Sequence, residues 1–366
     1  MISNILLIIS LISLFVVLLY SFLFYKFNSY KPAENNFQEP ISIIICARDE
    51  AENLRNNLPL ILSQSLPVFE VVVVNDQSQD ETKNVLKKFE EKYHNLVVVT
   101  IDHLIKHRPG KKFALTLGIK TAKYEYVLLT DADCIPNSSD WAKRMSANFC
   151  SSDIVLGFGA YEKSRSFLNK IIRFDTFNIA QQYFSYALSG MTYMGVGRNM
   201  GYKKSLFFEN KGFAKHIHIA SGDDDLFIQE VSTKDNVSIQ SSIDSHTVSE
   251  VMNSWKDWVY QKRRHTTTAS LYKTKFKILL GVYPYAQFIF WISLALLFLL
   301  SSGFIIPIVL LIIKLFVSYI INYQSMKRMD VFDLYWAHPF YEFLYLFLQG
   351  FFVLLNFVSK PKEWSK

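Results

Sequence analysis

The stretch Tyr124–Pro136, YEYVLLTDADCIP, decides the predicted fold. An apolar run from Tyr126 to Leu129 leads into Asp131 and Asp133. This pattern predicts a buried parallel strand that carries two carboxylates at its carboxyl end, the edge of an open α/β sheet where ligands bind. Aspartates two positions apart on a strand point the same way and repel each other unless a cation lies between them. The pair indicates a Mg²⁺ or Mn²⁺ site that also contacts phosphates, with two solvated aspartates in a turn as the alternative.

Three similar strand–helix units precede this stretch. Apolar runs at 41–46, 70–74 and 96–101 predict strands. A helical pattern follows each strand: the first at 52–64, the second after Ser78 or Asp80 and ending at Tyr93, and the third at 113–122. Ser78 or Asp80 is predicted to cap the second helix. Four such repeats predict a parallel sheet with right-handed crossovers. No glycine-rich dinucleotide or Walker motif follows any strand, so a nucleotide would be held by side chains.

Two further polar residues are predicted to converge with the aspartate pair. Asp76 follows the second strand, and Lys111 lies at the start of the helix that precedes the fourth strand. A carboxylate accepts hydrogen bonds from a base N–H, and a lysine suits a phosphate. These positions predict a crevice for a nucleoside diphosphate, although Asp76 could also be a simple helix cap.

An acidic cluster, Ser221–Leu226 (SGDDDL), follows in the second half of the chain. Three adjacent carboxylates before an apolar helix are costly unless they are exposed, bind a metal or share a proton. A helix N-terminus would lower part of that cost. The cluster is therefore either a functional site or an acidic first turn.

The segments SIIICARDEAENL, VVVVNDQSQDET and GKKFALTLGIKTAKYEYVLLTDADC occur in this order. Together they resemble the family 2 glycosyltransferases, which have the GT-A nucleotide-sugar-binding fold, an α/β fold with a Rossmann-like, mostly parallel sheet. The resemblance covers roughly residues 40–270. It implies that Asp76 recognises the nucleotide base, that Asp131 and Asp133 hold a metal ion (Mg²⁺ or Mn²⁺) and the diphosphate, and that Lys111 lies near the donor.

The same resemblance extends to the acceptor side. The segment around Asn199 (GRNMGY) is similar to the asparagine-containing acceptor segment of the family, and a glycine-rich turn is the alternative. Aligning Asp223 and Asp224 on the family's Glu-Asp motif implies that Asp224 is the catalytic base. Because a third aspartate follows, the register is open by one residue, and Asp223 is also a catalytic candidate.

A helix with Gln261, Arg264 and His265 resembles the Q-x-x-R-W motif of membrane-embedded members, with His265 in place of the tryptophan. The resemblance implies contacts of these residues with the acceptor or the diphosphate. The alternative is an interfacial helix with Trp255 and Trp258 at the lipid boundary and basic side chains on lipid phosphates.

Both ends of the chain are apolar. Ile5 to Phe24 carries no charge and is long enough to span a bilayer, as are stretches near 279–300, 303–322 and 340–358. Lys26 and Lys31 follow the first stretch, so the positive-inside rule predicts a cytoplasmic catalytic domain. A third C-terminal crossing would place the lysine-rich tail outside, which leaves a re-entrant or interfacial segment as the alternative.

These patterns predict five regions. They are an N-terminal transmembrane anchor (1–27), a cytoplasmic GT-A domain (28–250), an interfacial helix region (251–278), two or three C-terminal transmembrane helices (279–358) and a polar tail (359–366).

The net charge is +7, and much of it lies beside apolar segments. This placement favours contact with anionic lipid headgroups over nucleic acid. Three cysteines without metal-binding spacing are expected to be buried thiols in a reducing compartment.

The combined prediction is an integral membrane protein, expected in a bacterial inner membrane, that acts as an inverting, metal-dependent hexosyltransferase. It would move a sugar from a nucleotide-diphosphate-sugar, with UDP favoured by the resemblance, to a lipid-linked or membrane-proximal glycan in cell envelope polysaccharide synthesis. A processive polysaccharide synthase is one alternative. A non-catalytic scaffold or transporter subunit with an inactive sugar-nucleotide domain is another.

Overall fold

A computed structural model describes residues 2–32, 34–101, 111–219, 221–301 and 303–358. The polar tail predicted at 359–366 and Gly110 of the quoted motif lie outside these residues. The described residues divide into two compact units. The helical unit comprises the described residues within 1–30, 166–189 and 254–361, and the sheet unit comprises those within 31–165 and 190–253.

The sheet unit is built on four parallel strands. They are β1 (Ile41–Ala47), β2 (Phe69–Asp76), β3 (Leu96–Ile101) and β4 (Tyr126–Asp131), in the order β3-β2-β1-β4. The connecting helices are α2 (Ala51–Leu62), α3 (Thr82–Lys92) and α4 (Lys111–Thr121). The predicted β-α repeats are therefore confirmed, and the apolar runs of β1 and β2 form the core because helices cover the sheet.

The sheet continues beyond β4 with strands of mixed direction. These are β8 (Met200–Lys203), β6 (Ile154–Leu156) and β9 (Val237–Ile239). Strand β8 runs antiparallel to β4 and pairs Met200 with Leu129, so the residues just before β8 lie beside the carboxyl end of β4. This pairing brings a distant segment to the predicted ligand edge.

A small second sheet supports the same edge. It consists of β5 (Cys134–Pro136), β10 (Thr247–Ser249) and β7 (Gly159–Tyr161), with β10 in the middle. Three short helices complete the unit: α5 (Trp141–Ser146), α7 (Lys204–Glu209) and α8 (Asp225–Val231).

Helix α4 packs unusually close to the sheet at Gly118. A Cβ atom added there would lie 2.7 Å from Cγ2 of Ile44 and 3.1 Å from Cγ2 of Val74. Only glycine permits this approach without a shift of the strands, so the backbone of α4, and with it the position of Lys111, is set by the core.

The loops after β1 and β2 are joined by Asp80. Its Oδ2 accepts a hydrogen bond from the backbone N–H of Ala51 at 3.0 Å, and its Oδ1 accepts one from Thr82 at 2.9 Å. Ser78 instead accepts a hydrogen bond from the N–H of Asp49, which has a left-handed φ of 55°. Of the two predicted capping residues, Ser78 and Asp80, it is Asp80 that bonds the first turn of α3. Asp80 serves the first turns of both α2 and α3.

The helical unit contains the apolar helices. They are α1 (Ile2–Ser29), α10 (Thr274–Leu300), α11 (Ile305–Arg328) and α12 (His338–Val358). Among the described residues, these four are long and apolar enough to cross a membrane. The apolar stretches predicted from the sequence are confirmed as helices, and each helix is longer than its stretch.

Helix α6 (Phe167–Ala187) lies within the range 28–250, yet it groups with the helical unit. Arg173 forms a forked ion pair with Asp333, with distances of 2.9 Å and 2.6 Å. Asp175 is paired with Lys262, at 2.7 Å. These buried charges join α6 to distant parts of the helical unit.

Helix α9 (Trp255–Ala269) carries the predicted interfacial tryptophans. Trp258 is 1% exposed, and its ring centroid lies 5.4 Å from that of Phe352 in α12. Trp258 therefore packs against α12, whereas Trp255 is exposed, and the alternative of tryptophans at the lipid boundary stays a prediction. Helix α10 begins at Thr274, so the range 251–278 contains all of α9 and the first residues of α10.

Candidate active site

The carboxyl end of β4 carries the predicted metal site. Asp131 ends the strand, and one oxygen each of Asp131 and Asp133 lies within 4.8 Å of the sulfur of Cys134 and of each other. Burial, and then the charge of Asp133, raises the pKa of the Cys134 thiol to about 12. A protonated thiol is a poor ligand for a hard cation, whereas paired carboxylates suit Mg²⁺ or Mn²⁺. The oxygen atoms of Asp131 and Asp133 therefore fit the predicted ion.

Asp76 lies on the same edge of the sheet. Cys46 in β1 pairs with Val74 on one side and with Asp131 on the other, and Asp76 follows two residues after Val74. Two strand spacings separate β2 from β4, roughly 10 Å. Asp76 is buried at 6% exposure. It is thus placed at a distance from the metal site that a nucleoside diphosphate can bridge.

Lys111 lies between two acidic segments. Its Nζ contacts the carboxylate of Asp131 and lies 3.9 Å from Oδ2 of Asp223. Burial would lower the pKa of Lys111, but the charges of Asp131 and Asp223 raise it well above its usual value. The ammonium group is therefore charged at any physiological pH, and it brings together segments that are far apart in sequence.

Asp224 is held by backbone donors at the start of α8. Its Oδ2 accepts a hydrogen bond from the N–H of Gly197 at 3.0 Å, and its Oδ1 accepts one from Asp225 at 2.8 Å. Burial, and then the charges of Asp223 and Asp225, raise the pKa of Asp224 to about 7. The carboxyl group thus has a fixed orientation and changes its protonation near neutral pH.

Gly197 lies where the charged groups converge. A Cβ atom at this position would lie 3.6 Å from Nζ of Lys111, from Oδ2 of Asp223 and from Oδ2 of Asp224. The missing side chain leaves the space between these groups open. This convergence places both candidate catalytic aspartates close to the lysine that contacts the metal site.

Asn199 does not face this space. Its side chain is fully buried; Nδ2 donates hydrogen bonds to the carbonyl oxygens of Phe158 and Ser245, both at 2.8 Å, and Oδ1 accepts one from Nε1 of Trp141 at 3.0 Å. Its hydrogen-bonding groups are therefore engaged within the protein. This placement contradicts direct contact of Asn199 with an acceptor and gives it the role of holding the segment before β8.

Arg198 is a charged residue of the site that the sequence analysis missed. Its guanidinium group donates one hydrogen bond to the carbonyl oxygen of Gly159 and lies 4.2 Å from the ring centroid of Tyr161. Burial would lower the pKa of Arg198, but Tyr161, Cys134 and Asp133 keep it raised. The only signal in the sequence was a basic residue beside Asn199 in the quoted segment.

The pKa of Asp133 is affected by burial and by charges of both signs. Burial, and then the charges of Asp131 and Glu50, raise the pKa of Asp133, whereas Arg198 lowers it. The side chain keeps contact with solvent. A carboxylate crowded by other carboxylates at a surface is a place where added positive charge is favourable.

Gln261, Arg264 and His265 lie in α9 and belong to the helical unit. Gln261 and Arg264 are partly buried, and His265 is exposed. Their roles at the acceptor or the diphosphate, like the roles of the other site residues, stay predictions.

Comparisons with known proteins find similarity to one family over part of the chain. Residues 42–209 match the family model described as "Glycosyl transferase family 2". The poly-beta-1,6-N-acetyl-D-glucosamine synthase of Staphylococcus epidermidis is 34% identical over 103 residues, which are 28% of this chain and 24% of the relative. Glycosyltransferase AglE of Haloferax volcanii is 31% identical over 124 residues, 33% of this chain and 39% of the relative. The chain thus matches well under half the length of these relatives.

A solved structure shares the fold over most of the chain. It is the mannosyltransferase PcManGT from Pyrobaculum calidifontis in complex with GDP-Man and Mn²⁺, with a TM-score of 0.58 and 19% identity. The similarity covers 91% of this chain and 99% of that one. It confirms the predicted GT-A fold. Residues 42–209 are therefore similar to the glycosyl transferase family 2 proteins, within a chain that shares its fold with the mannosyltransferase.

Proposed function

We propose that this protein is a membrane-bound, inverting glycosyltransferase that moves a sugar from a nucleotide-diphosphate-sugar to an acceptor at the membrane. The main support is the position of Lys111, which contacts Asp131 of the candidate metal pair and, with Asp223 and Asp224, surrounds the open space at Gly197. A cationic side chain, a hard-cation site and a candidate base at one sheet edge are what transfer from a diphosphate leaving group requires.

On the donor side, Asp76 would accept a hydrogen bond from the base, and Lys111 would bind the diphosphate. Asp131 and Asp133 would hold Mg²⁺ or Mn²⁺, which supplies positive charge beside the leaving diphosphate. PcManGT was solved with a GDP-sugar and Mn²⁺, which supports a nucleotide-sugar donor and a metal. UDP remains the nucleotide favoured by the resemblance.

On the acceptor side, Asp224 would take the proton of the attacking hydroxyl during in-line displacement at the anomeric carbon. A base is most effective when its pKa lies close to the working pH, and the pKa of Asp224 is about 7. Two backbone N–H groups hold its oxygens, so the carboxylate needs little reorientation before reaction.

The apolar helices support a membrane location. Lys26 lies in the last turn of α1 and Lys31 follows the helix, which favours a cytoplasmic catalytic unit by the positive-inside rule. We propose a lipid-linked or membrane-proximal glycan as the acceptor, with Gln261 and Arg264 on its path, in a bacterial inner membrane.

A processive polysaccharide synthase is the second candidate, and the similarity to the poly-beta-1,6-N-acetyl-D-glucosamine synthase favours it. Product length separates the two: single transfer gives one added sugar, and processive synthesis gives a ladder of longer products.

A transporter or scaffold role has less support. Lys314 in α11 contacts Glu342 in α12, and Gln287 also donates a hydrogen bond to Glu342. Intramembrane charges often mark transport paths, but this pair neutralises itself and is bound to a neighbouring amide.

The test uses the full-length protein in detergent. Thermal unfolding is measured with UDP-, GDP- and dTDP-sugars, each with Mn²⁺ and with EDTA; a true donor should raise the Tm only with the metal present. Transfer to membrane lipid extract should be lost in EDTA and restored by Mn²⁺ or Mg²⁺. Full transfer in EDTA would refute the metal assignment. If none of the donors shifts the Tm and none supports transfer, the proposed function is refuted.

A further inference from the structure

Lys111 and a divalent cation need the same carboxylate. The ammonium group of Lys111 contacts Oδ1 of Asp131, and Asp131 is one of the two proposed metal-binding residues. The side chain of Lys111 is 15% exposed and that of Asp131 is 35% exposed, so salt screens this ion pair less than a fully exposed pair. A dication bound at Asp131 would repel an ammonium group that stayed against the same oxygen atoms.

A second carboxylate is within reach of the same ammonium group. Oδ2 of Asp223 lies 3.9 Å from Nζ of Lys111, and its side chain is 14% exposed. The backbone of Lys111 is held in place, because α4 packs against the core at Gly118. A change of partner therefore has to occur by rotation of the lysine side chain, from Asp131 towards Asp223.

We propose that the ammonium group of Lys111 competes with the divalent metal for Asp131. When the metal binds, the ammonium group moves from Asp131 to the donor diphosphate and Asp223. This inference rests on the proposed function, because it needs a metal at Asp131 and a diphosphate beside it. It assigns to Lys111 a role beyond donor contact, which is to make metal binding and nucleotide binding depend on each other.

The consequence is a specific pattern of linkage. Metal alone has to displace the ammonium group and binds weakly, whereas metal with diphosphate gives the ammonium group a new anionic partner. Each ligand should then raise the affinity of the other by the same factor. Removal of the lysine charge should strengthen binding of the metal alone while it weakens binding of the nucleotide, two effects of opposite sign.

The experiment measures Mn²⁺ binding to the full-length protein by electron paramagnetic resonance, with and without UDP and GDP. In Lys111→Met and Lys111→Gln, the affinity for Mn²⁺ alone should rise about tenfold, within the usual range of coupling factors, and the gain from added nucleotide should shrink. Lys111→Arg should bind Mn²⁺ alone as weakly as the wild type, because a guanidinium group can still pair with Asp131.

Lys120→Met is the matched control for the loss of one positive charge. Lys120 lies on the same helix and is exposed, nine positions further along, about 13 Å away. Because salt screens exposed charges beyond about 8 Å, this variant should keep the affinity of the wild type for Mn²⁺.

The outcomes separate the two proposals. Equal or weaker binding of Mn²⁺ alone in both neutral variants, with nucleotide binding to the wild type intact, would overturn the competition and leave the proposed function standing. If the affinity for Mn²⁺ alone rises as much in Lys120→Met as in Lys111→Gln, the proposed competition is also overturned, because the effect is then one of net charge. A folded wild-type protein that binds neither Mn²⁺ nor any nucleotide would overturn both.

Discussion

The backbone N–H of Gly197 donates a hydrogen bond to Oδ2 of Asp224 at 3.0 Å, which joins the segment before β8 to the start of α8. The two residues are far apart in sequence, and each belongs to a different candidate motif. Their contact distinguishes Asp224 from Asp223: Asp224 is oriented by backbone donors, whereas Asp223 faces Lys111.

We expect Asp224→Asn to lose turnover by roughly 10²–10⁴-fold, the usual contribution of a general base, while it keeps donor binding. The amide cannot take the acceptor proton, but it has nearly the same shape. The measurements are kcat for transfer and the Kd of the nucleotide-sugar. Asp223→Asn is the matched control, and it should affect donor binding more than turnover. If Asp223→Asn is inactive and Asp224→Asn is active, Asp223 is the base and the assignment to Asp224 is wrong.

The rate of transfer should rise with pH through about 7. Below that pH, Asp224 holds a proton and cannot accept another, and above it the carboxylate is free to act, since its pKa is raised to about 7. A profile of kcat/KM against pH should show this acidic limb. Because Asp223 and Asp225 interact with Asp224, the apparent value belongs to the cluster. A flat profile from pH 5 to 8, with chemistry rate-limiting, would contradict Asp224 as the base.

Asp80→Ala should destabilise the sheet unit by about 1–2 kcal/mol, because it removes the side-chain acceptor at the first turns of two helices. Although burial opposes it, hydrogen bonds from Thr82 and Ala51 lower the pKa of Asp80. Because the pKa is lowered in the folded protein, this stabilisation is fully present at a pH above the ordinary pKa of an aspartate. It is lost as the pH falls through the pKa that Asp80 has in the folded protein.

The measurement for Asp80 is thermal unfolding at pH 7 and at pH 3. Glu81→Ala is the control, because Glu81 occupies the N-cap position of α3 without a side-chain capping bond. An equal loss of stability in the two variants would show that Asp80 does not have this bridging role.

Arg264→Lys should reduce transfer strongly and leave the protein folded, because a lysine cannot copy the forked hydrogen bonds of a guanidinium group to a phosphate. Arg263→Lys is the neighbouring control. Arg263 donates hydrogen bonds to Asn356 at 3.0 Å and to the carbonyl oxygen of Leu355 at 3.2 Å, so its replacement should lower the Tm. Full transfer by Arg264→Lys would remove this residue from the proposed acceptor path.

The sequence alone determined the parallel part of the sheet and its ligand edge. The apolar runs of β1, β2 and β4 are buried on both faces, and parallel strands align their carboxyl ends, so Asp76 and Asp131 had to lie at one edge. The long apolar helices were equally evident, because length and hydrophobicity are local properties. These features need no knowledge of distant partners.

Only the tertiary structure decided how the site is completed. The antiparallel pairing of β8 with β4 brings Gly197 and Arg198 to the metal site, and it buries Asn199. The contact of Lys111 with Asp131 and the grouping of α6 through Arg173 also join segments far apart in the chain. A periodic pattern states which face of an element is buried, but it does not name the partner that covers it. Strand order and charge pairing are therefore settled only when the whole chain packs.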